Sequence, residues 1–391
     1  MRIRRCSILS IEPRESVEFD FDSLLTGGNG LRFERRWIAL APHLDRECSV
    51  STAEVVLLGS VPCQEWSDFE LLCQDHDRSV LEDLLSKGLI VGDSSEATEL
   101  RDRDEALRAT HWHATTAVAH AFGRWQGVTA GEEVRTGGMR SVVDLVERLG
   151  APPAHFHSRV APEKRIALEP PRPTAIDDLL SRRATCRNFD RDREVPWSTF
   201  SHVLRRTFGA QGVETVTPES AIVKKTSPSA GGLHPTEAYL LIQRVEQVAP
   251  GLYHYHVGDH ALEPLETLSQ DEAFALAGRF VAQQDWFARA HVMVLLAPRF
   301  ARSLWKYRNH AKIHRALTLD VGHLAQTLQI SATEFGLGAF VTSAINEVDI
   351  ERALALEPMQ ESPLAACGFG WRANECRRLE LDPQHAVWPA Q

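Results

Sequence analysis

Ile313, Leu317, Val321, Leu324, Leu328, Ala332 and Phe335 follow one another at steps of 4, 4, 3, 4, 4 and 3. Such spacing keeps one apolar stripe on one side of an α-helix. Sustained from 313 to 335, it predicts a helix buried along its length. Gly336-Leu337-Gly338 then offers a natural helix stop. A stripe this long asks for more neighbours than one small domain supplies, so it also predicts a homodimer. With 391 residues, 43% of them apolar, the chain can build such a core. Strand-like runs at 238–243, 252–257 and 291–297 precede the helix. Helices and strands that do not alternate as βαβ units indicate an α+β fold.

Six prolines (Pro152, Pro153, Pro162, Pro170, Pro171 and Pro173) fall within residues 151–173. Proline at that density disfavours helix and sheet alike, so the stretch reads as a semi-rigid linker. It separates an N-terminal domain, 1–150, from a C-terminal one, 174–391. In the first, Val80, Leu81, Leu84 and Leu85 form a helical stripe, with Ser79 placed as N-cap and Gly88 as C-cap. Leu89-Ile90-Val91 then reads as a short strand. Helix, glycine and strand in this order are winged-helix-like, and modules of that shape can bind a peptide by adding it as a strand. Residues 110–122 read as a helix, in which His111, His113 and His120 lack metal-ligand spacing.

A net charge of −10 argues against a nucleic-acid partner and against anionic membrane surfaces. Seven scattered cysteines without a Cys-x-x-Cys pair form neither a disulfide framework nor a zinc site, and fit reduced thiols in a cytoplasm. The apolar part of MRIRRCSILSIEPRE is broken too soon for a signal peptide, and no run approaches the roughly 18 apolar residues of a membrane span.

Three segments carry chemistry. In "RATCR", Arg183, Thr185 and Arg187 alternate, which can place two guanidiniums and a hydroxyl on one side of an extended turn. Arginine forks and hydroxyls suit a dianionic phosphate, although a solvated arginine cluster would look the same. "PSAGGLHP" puts Ser229, Ala230, Gly231 and Gly232 between Pro228 and Pro235, directly before apolar sequence. Glycine frees the backbone and proline fixes it, so this reads as a preshaped loop with exposed amides. In "LWKYRNHAKIHRA", Lys306, one of only six lysines, adjoins Tyr307 just before the long stripe.

In this order the segments resemble the nitroreductase superfamily of FMN enzymes. More narrowly, they are similar to its SagB-type branch, the azoline dehydrogenases of thiazole- and oxazole-containing peptide biosynthesis. The matching elements are RATCR, PSAGGLHPTEAYLL, GLYHYHVGDHALEPL, the Lys-Tyr pair and DVGHLAQTLQISATEFGLG, spread over about residues 174–372. Ala184 departs from the branch, which commonly has a second arginine there. The resemblance implies a nitroreductase-like FMN-binding fold, a central mixed sheet flanked by helices, beside the winged-helix-like N-terminal domain. It implies that Arg183, Thr185 and Arg187 hold the FMN phosphate, with Arg372, Arg377 or Arg378 as further candidates. Pro228, Ser229, Ala230 and Gly231 would line the flavin from the opposite subunit of a homodimer. Gly336 and Gly338 would let backbone approach the flavin ring.

Oxidising an azoline to an azole removes a Cα proton and a Cβ hydride. Lys306 is the implied base, since a lysine in a desolvated site can lose its proton near neutrality, and Tyr307 would relay. A precursor peptide is the implied substrate and a cyclodehydratase a further partner. The rival activities are an NAD(P)H-dependent nitro- or quinone reductase, a flavin dehydrogenase making another peptide modification, and a non-catalytic precursor-binding subunit.

Overall fold

The computed structural model describes residues 1–94, 98–130 and 142–388. The chain divides into two compact units, neither of them continuous. One joins Met1–Arg124 to Arg299–Ala316 and Leu356–Ser362; the other holds Trp125–Pro298, Leu317–Ala355 and Pro363–Gln391. The proline-rich stretch 151–173 is exposed throughout and carries only a 3-10 turn, Pro162–Lys164. Residues 131–141, inside the expected N-terminal domain, lie outside the described residues.

The first unit opens with β1 (Arg2–Arg5), β2 (Ser10–Phe19), β3 (Leu31–Leu40) and β4 (Glu47–Val50), and continues with β5 (Ser67–Asp68) and β6 (Ile90–Gly92). β1 lies between β5 and β6, antiparallel to both; β2, β3 and β4 form a second antiparallel sheet. Helices Phe69–Asp75 and Arg78–Lys87 precede β6. The expected helix–glycine–strand is present: Leu81 and Leu84 are fully buried, and Gly88 takes a left-handed φ of 77°. Its N-cap is Asp77 rather than Ser79, because the Asp77 carboxylate accepts the Ser79 amide at 2.8 Å. The strand that follows pairs with N-terminal β1 instead of folding back as a hairpin. The helix expected over 110–122 spans Ala114–Gly123; His111 breaks it with a φ of 59°.

The second unit contains a hairpin of β7 (Gly212–Thr217) and β8 (Ser220–Lys224), then β9 (Thr236–Ile242), β10 (Gly251–His256), β11 (Ala261–Thr267), β12 (Val292–Pro298), β13 (Leu337–Thr342) and β14 (Ala365–Trp371). The last six form one sheet in the order β11-β10-β9-β12-β14-β13. The mixed sheet expected from the resemblance is antiparallel at every pairing of these strands. Successive hairpins through β9, β10 and β11 set the direction of those three strands. Parallel pairing is confined to isolated bridges, Thr185 to Ala339 on edge strand β13 and Val195 to Val245, among the described residues. β12 is buried at every position, as its unbroken apolar run requires.

The long helix spans Ile313–Glu334. Val321, Leu324, Leu328 and Ala332 pack with the sheet and with Phe200, Val203, Leu204 and Phe208 of helix Trp197–Phe208. The six stripe residues from Ile313 to Ala332 are each at most 7% exposed within a single chain, and Phe335 is partly buried. The stripe therefore finds its neighbours at home and makes no demand for a second copy. Gly336 ends the helix with a left-handed φ of 73°.

Candidate functional site

The second unit holds nine of the eleven candidate residues, and the first holds Lys306 and Tyr307. RATCR is extended and alternates as the sequence implies: Ala184 and Cys186 are buried, while Arg183, Thr185 and Arg187 are half-buried on the other side. Cys186 donates its amide to Ala339 O at 2.8 Å, which ties the segment to β13. Burial pushes the Cys186 thiol up, so it is an inert packing group. Ala184 falls on this buried side, so the departure from the family pattern subtracts nothing from the polar face. Arg183 Nη1 donates to Gln329 Oε1, 3.3 Å away on the long helix.

Gly338 has a packing role. A Cβ there would sit 2.5 Å from Cys186 Sγ and 2.7 Å from its Cβ, so the glycine is what lets RATCR lie against β13. A Cβ on Gly336 would meet nothing within 4 Å; its positive φ explains the residue.

The fit of an FMN phosphate can be tested on the donors that remain. Arg372 forms an ion pair with Glu380 and donates to Ala184 O at 3.1 Å. The Glu380 carboxylate is fully buried, and it also accepts the amides of Arg187 at 2.5 Å and Asn188 at 3.0 Å, and the Trp388 indole at 2.9 Å. Those groups already hold an anion of the chain itself. Arg377 pairs with Glu375 at 3.1 Å and Arg378 with Asp285 at 3.4 Å; with Arg187 they line an open groove of about 550 Å³. Arg183, Thr185 and Arg187 share the half-buried side of the segment, and of the three Arg187 lines that groove.

The PSAGG loop is shaped from within. Ala230–Gly232 form a 3-10 turn in which Gly231 and Gly232 have φ of 64° and 67°, a conformation that favours glycine at both positions. The loop is anchored by Asp320 of the long helix, a residue the sequence reading missed. Its carboxylate accepts the Ser229 hydroxyl at 2.5 Å and the Ala230 amide at 3.0 Å, while Ser229 Oγ accepts the His234 amide at 2.9 Å. The Ala230 amide, expected to be exposed, is thus engaged. Asp320 is 5% exposed, and burial raises its carboxyl above the ordinary range against those hydrogen bonds. A cavity of about 10 Å³ beside it is lined also by Pro228, His234 and Lys225, itself 5% exposed. The signal was available: Asp320 falls three residues after Leu317 and four before Leu324, an acid inside an apolar stripe.

Lys306 closes helix Phe300–Lys306, and Tyr307 is its C-cap, the Tyr307 amide reaching Ser303 O at 3.0 Å. Lys306 is exposed and Tyr307 half-buried, with Nζ 5.4 Å from the ring centroid. This segment is held by the N-terminal part of its unit. Phe300, fully buried, packs at 4.8 Å between centroids on both Trp112 and His120, and Asn309 donates to His111 O at 2.9 Å. His120 is a packing residue: burial pushes its pKa down to about 3, and its Nε2 lies 3.0 Å from Pro358 O.

Residues 180–371 match the nitroreductase family. The trifolitoxin-processing protein TfxB of Rhizobium leguminosarum bv. trifolii is 30% identical over 37% of this chain and 39% of its own length. The microcin B17-processing protein McbC of Escherichia coli is 25% identical over 39% of this chain and 56% of its own. A Methanocaldococcus jannaschii protein, MJ1384, provisionally named a nitroreductase, is 27% identical over 50% of this chain and 90% of its own. The chain thus spans about two-fifths of TfxB and just over half of McbC. With the antiparallel sheet, the long helix and the two loops hung from it, residues 180–371 are a nitroreductase-family domain.

Proposed function

We propose that the chain is an FMN-dependent dehydrogenase that matures a ribosomally made peptide, oxidising azoline rings to azoles. One observation carries the reading. The alternating polar face of Arg183, Thr185 and Arg187 and the internally anchored PSAGG loop occur together in a domain whose relatives include two toxin-processing proteins. Arg183, Thr185 and Arg187 would hold the cofactor's phosphate, and Pro228, Ser229, Ala230 and Gly231 would line its ring. FMN, when bound, supplies the hydride acceptor. Lys306 takes the Cα proton of the azoline and Tyr307 orients or relays it, completing a loss of one proton and one hydride per ring. The substrate is a precursor peptide whose rings a cyclodehydratase has already closed, and the enzyme works in the cytoplasm as a homodimer.

Purified protein should be yellow, release FMN on denaturation, and remove two hydrogens per azoline, read by mass spectrometry. Lys306→Ala should keep the flavin and lose about 10² to 10⁴ in turnover. Lys306→Arg should not restore it, because a guanidinium stays protonated. Colourless protein that FMN cannot reconstitute, or a Lys306→Ala variant with wild-type turnover, would overturn the assignment. The match to MJ1384 favours a second reading, a nitro- or quinone reductase. That reading expects rapid NAD(P)H oxidation with a small acceptor and none of the peptide chemistry.

A further inference from the structure

The open groove of about 550 Å³ is also lined by Arg191 and Arg289, which the proposed dehydrogenation does not use. Its volume lies in the range of small-ligand sites. Both guanidiniums lie over the same ring, Phe274, at 4.3 Å and 5.9 Å from its centroid. That contact holds each side chain and leaves its N–H donors unspent. Among the described residues, neither guanidinium makes a hydrogen bond or an ion pair. Arg244 crowds the same place, its Nε buried without a hydrogen-bond partner. Burial, and then the charges of Arg244 and Arg289, pull the Arg191 guanidinium below its ordinary value, with Asp271 acting the other way. The acids of the groove do not relieve this crowding. Asp285 serves Arg378 at 3.4 Å and Glu375 serves Arg377 at 3.1 Å. Asp190 accepts the Asp192 amide at 2.9 Å, and Asp192 itself is exposed.

We propose that Arg191 and Arg289 bind a phosphate-class dianion in this groove, with Arg244 adding charge behind them. Like charges held together cost stability, and an anion within reach of both forks offsets that cost. The donors select the ligand. A guanidinium is a planar fork whose N–H pairs match phosphate oxygens, and two such charges balance a dianion better than a lone carboxylate. The group can come from free inorganic phosphate or from a small ester such as a nucleotide. This anion is additional to the cofactor phosphate assigned to Arg183, Thr185 and Arg187, and its binding does not depend on flavin.

The test is calorimetric titration of the full chain, with and without FMN added, by inorganic phosphate, adenosine monophosphate and acetate at low salt. Wild type is compared with Arg289→Gln, Arg191→Gln/Arg289→Gln and Arg159→Gln/Arg172→Gln. Arg289 is exposed, so its single variant should fold whatever the double variant does. Arg159 and Arg172, exposed in the proline-rich stretch, control for the loss of two charges. Phosphate affinity should fall about tenfold in the single variant and about a hundredfold in the groove double variant, one charge-assisted contact at a time, and hold in the control. Phosphate should also raise the melting temperature of wild type and leave that of the groove double variant where it was. Tighter binding of adenosine monophosphate than of phosphate identifies a nucleotide as the source, and equal binding identifies the free ion. The proposal is overturned by a wild type that binds no phosphate, by equal affinity in wild type and Arg289→Gln, or by acetate binding as tightly as phosphate. Loss of phosphate binding in FMN-loaded protein also overturns it, because the groove would then belong to the cofactor. Phosphate binding by protein that takes up no flavin would sink the dehydrogenase reading and leave this site standing.

Discussion

At the scale of single residues, alternation was legible and anchorage was not. Arg183, Thr185 and Arg187 share a face because every second side chain of an extended segment does, a periodicity readable without neighbours. Asp320 acts across 90 positions of sequence, so only the misfit of an acid in an apolar stripe betrays it. The assignment can be checked by pH. Burial raises the Asp320 carboxyl, so over a window starting at the ordinary carboxylate value, about 3.9, the native state keeps a proton that the unfolded chain has released. Stability then falls as pH rises through that window, up to the raised value. Asp320→Asn keeps acceptors for Ser229 and Ala230 but does not titrate, so wild type should lose melting temperature relative to the variant as pH climbs from about 4. Parallel melting curves across the acid range would remove Asp320 from this role. Asp320→Ala takes this acceptor from two half-buried donors, the Ser229 hydroxyl and the Ala230 amide, and should destabilise by about 1 kcal/mol.

At the scale of elements, the long helix is legible in its spacing, but the spacing alone does not say whether a second copy is needed to cover it. The stripe fixes which residues go inward, but not what covers them. The cover comes from helix Trp197–Phe208 and a sheet whose strands start at Thr236 and end at Trp371, non-local partners that a one-dimensional pattern does not announce. The two faces should differ sharply in denaturant melts. Leu328 is fully buried, so Leu328→Ala should cost about 2–5 kcal/mol, the lost transfer energy plus the cavity. Leu319, on the same helix, is 59% exposed, and Leu319→Ala should stay within about 0.5 kcal/mol of wild type. Similar losses at both positions would mean that the outer face is covered too. The Asp77 cap teaches the same lesson on a smaller scale: Asp77 and Ser79 are both good N-caps, and only the hydrogen bond between them decides.

At the scale of the whole molecule, the proline-rich stretch 151–173 falls inside the second unit, and the first N-terminal segment ends earlier, at Arg124. Residues 299–316 and 356–362 cluster with 1–124, an arrangement set by tertiary packing that leaves no compositional trace. The proposed base and relay, Lys306 and Tyr307, thereby depend on N-terminal residues for their support. Trp112 is the joint. It is 4% exposed, packs on Phe300 at 4.8 Å, lies 6.5 Å from His314 and donates its indole N–H to Met359 O at 3.0 Å. It therefore touches both C-terminal segments that the unit recruits. Trp112→Ala should remove about 3–5 kcal/mol of packing from this joint. Hydrogen exchange should report the loss as faster exchange across Phe300–Ala316 and Leu356–Ser362, with β9 and β12 of the other unit protected as before. Peptide turnover should fall with the protection while flavin content stays level, since no proposed phosphate or ring contact is altered. Unchanged exchange in both recruited segments would show that the joint lies elsewhere. Faster exchange with full turnover would instead separate Lys306 from the chemistry assigned to it.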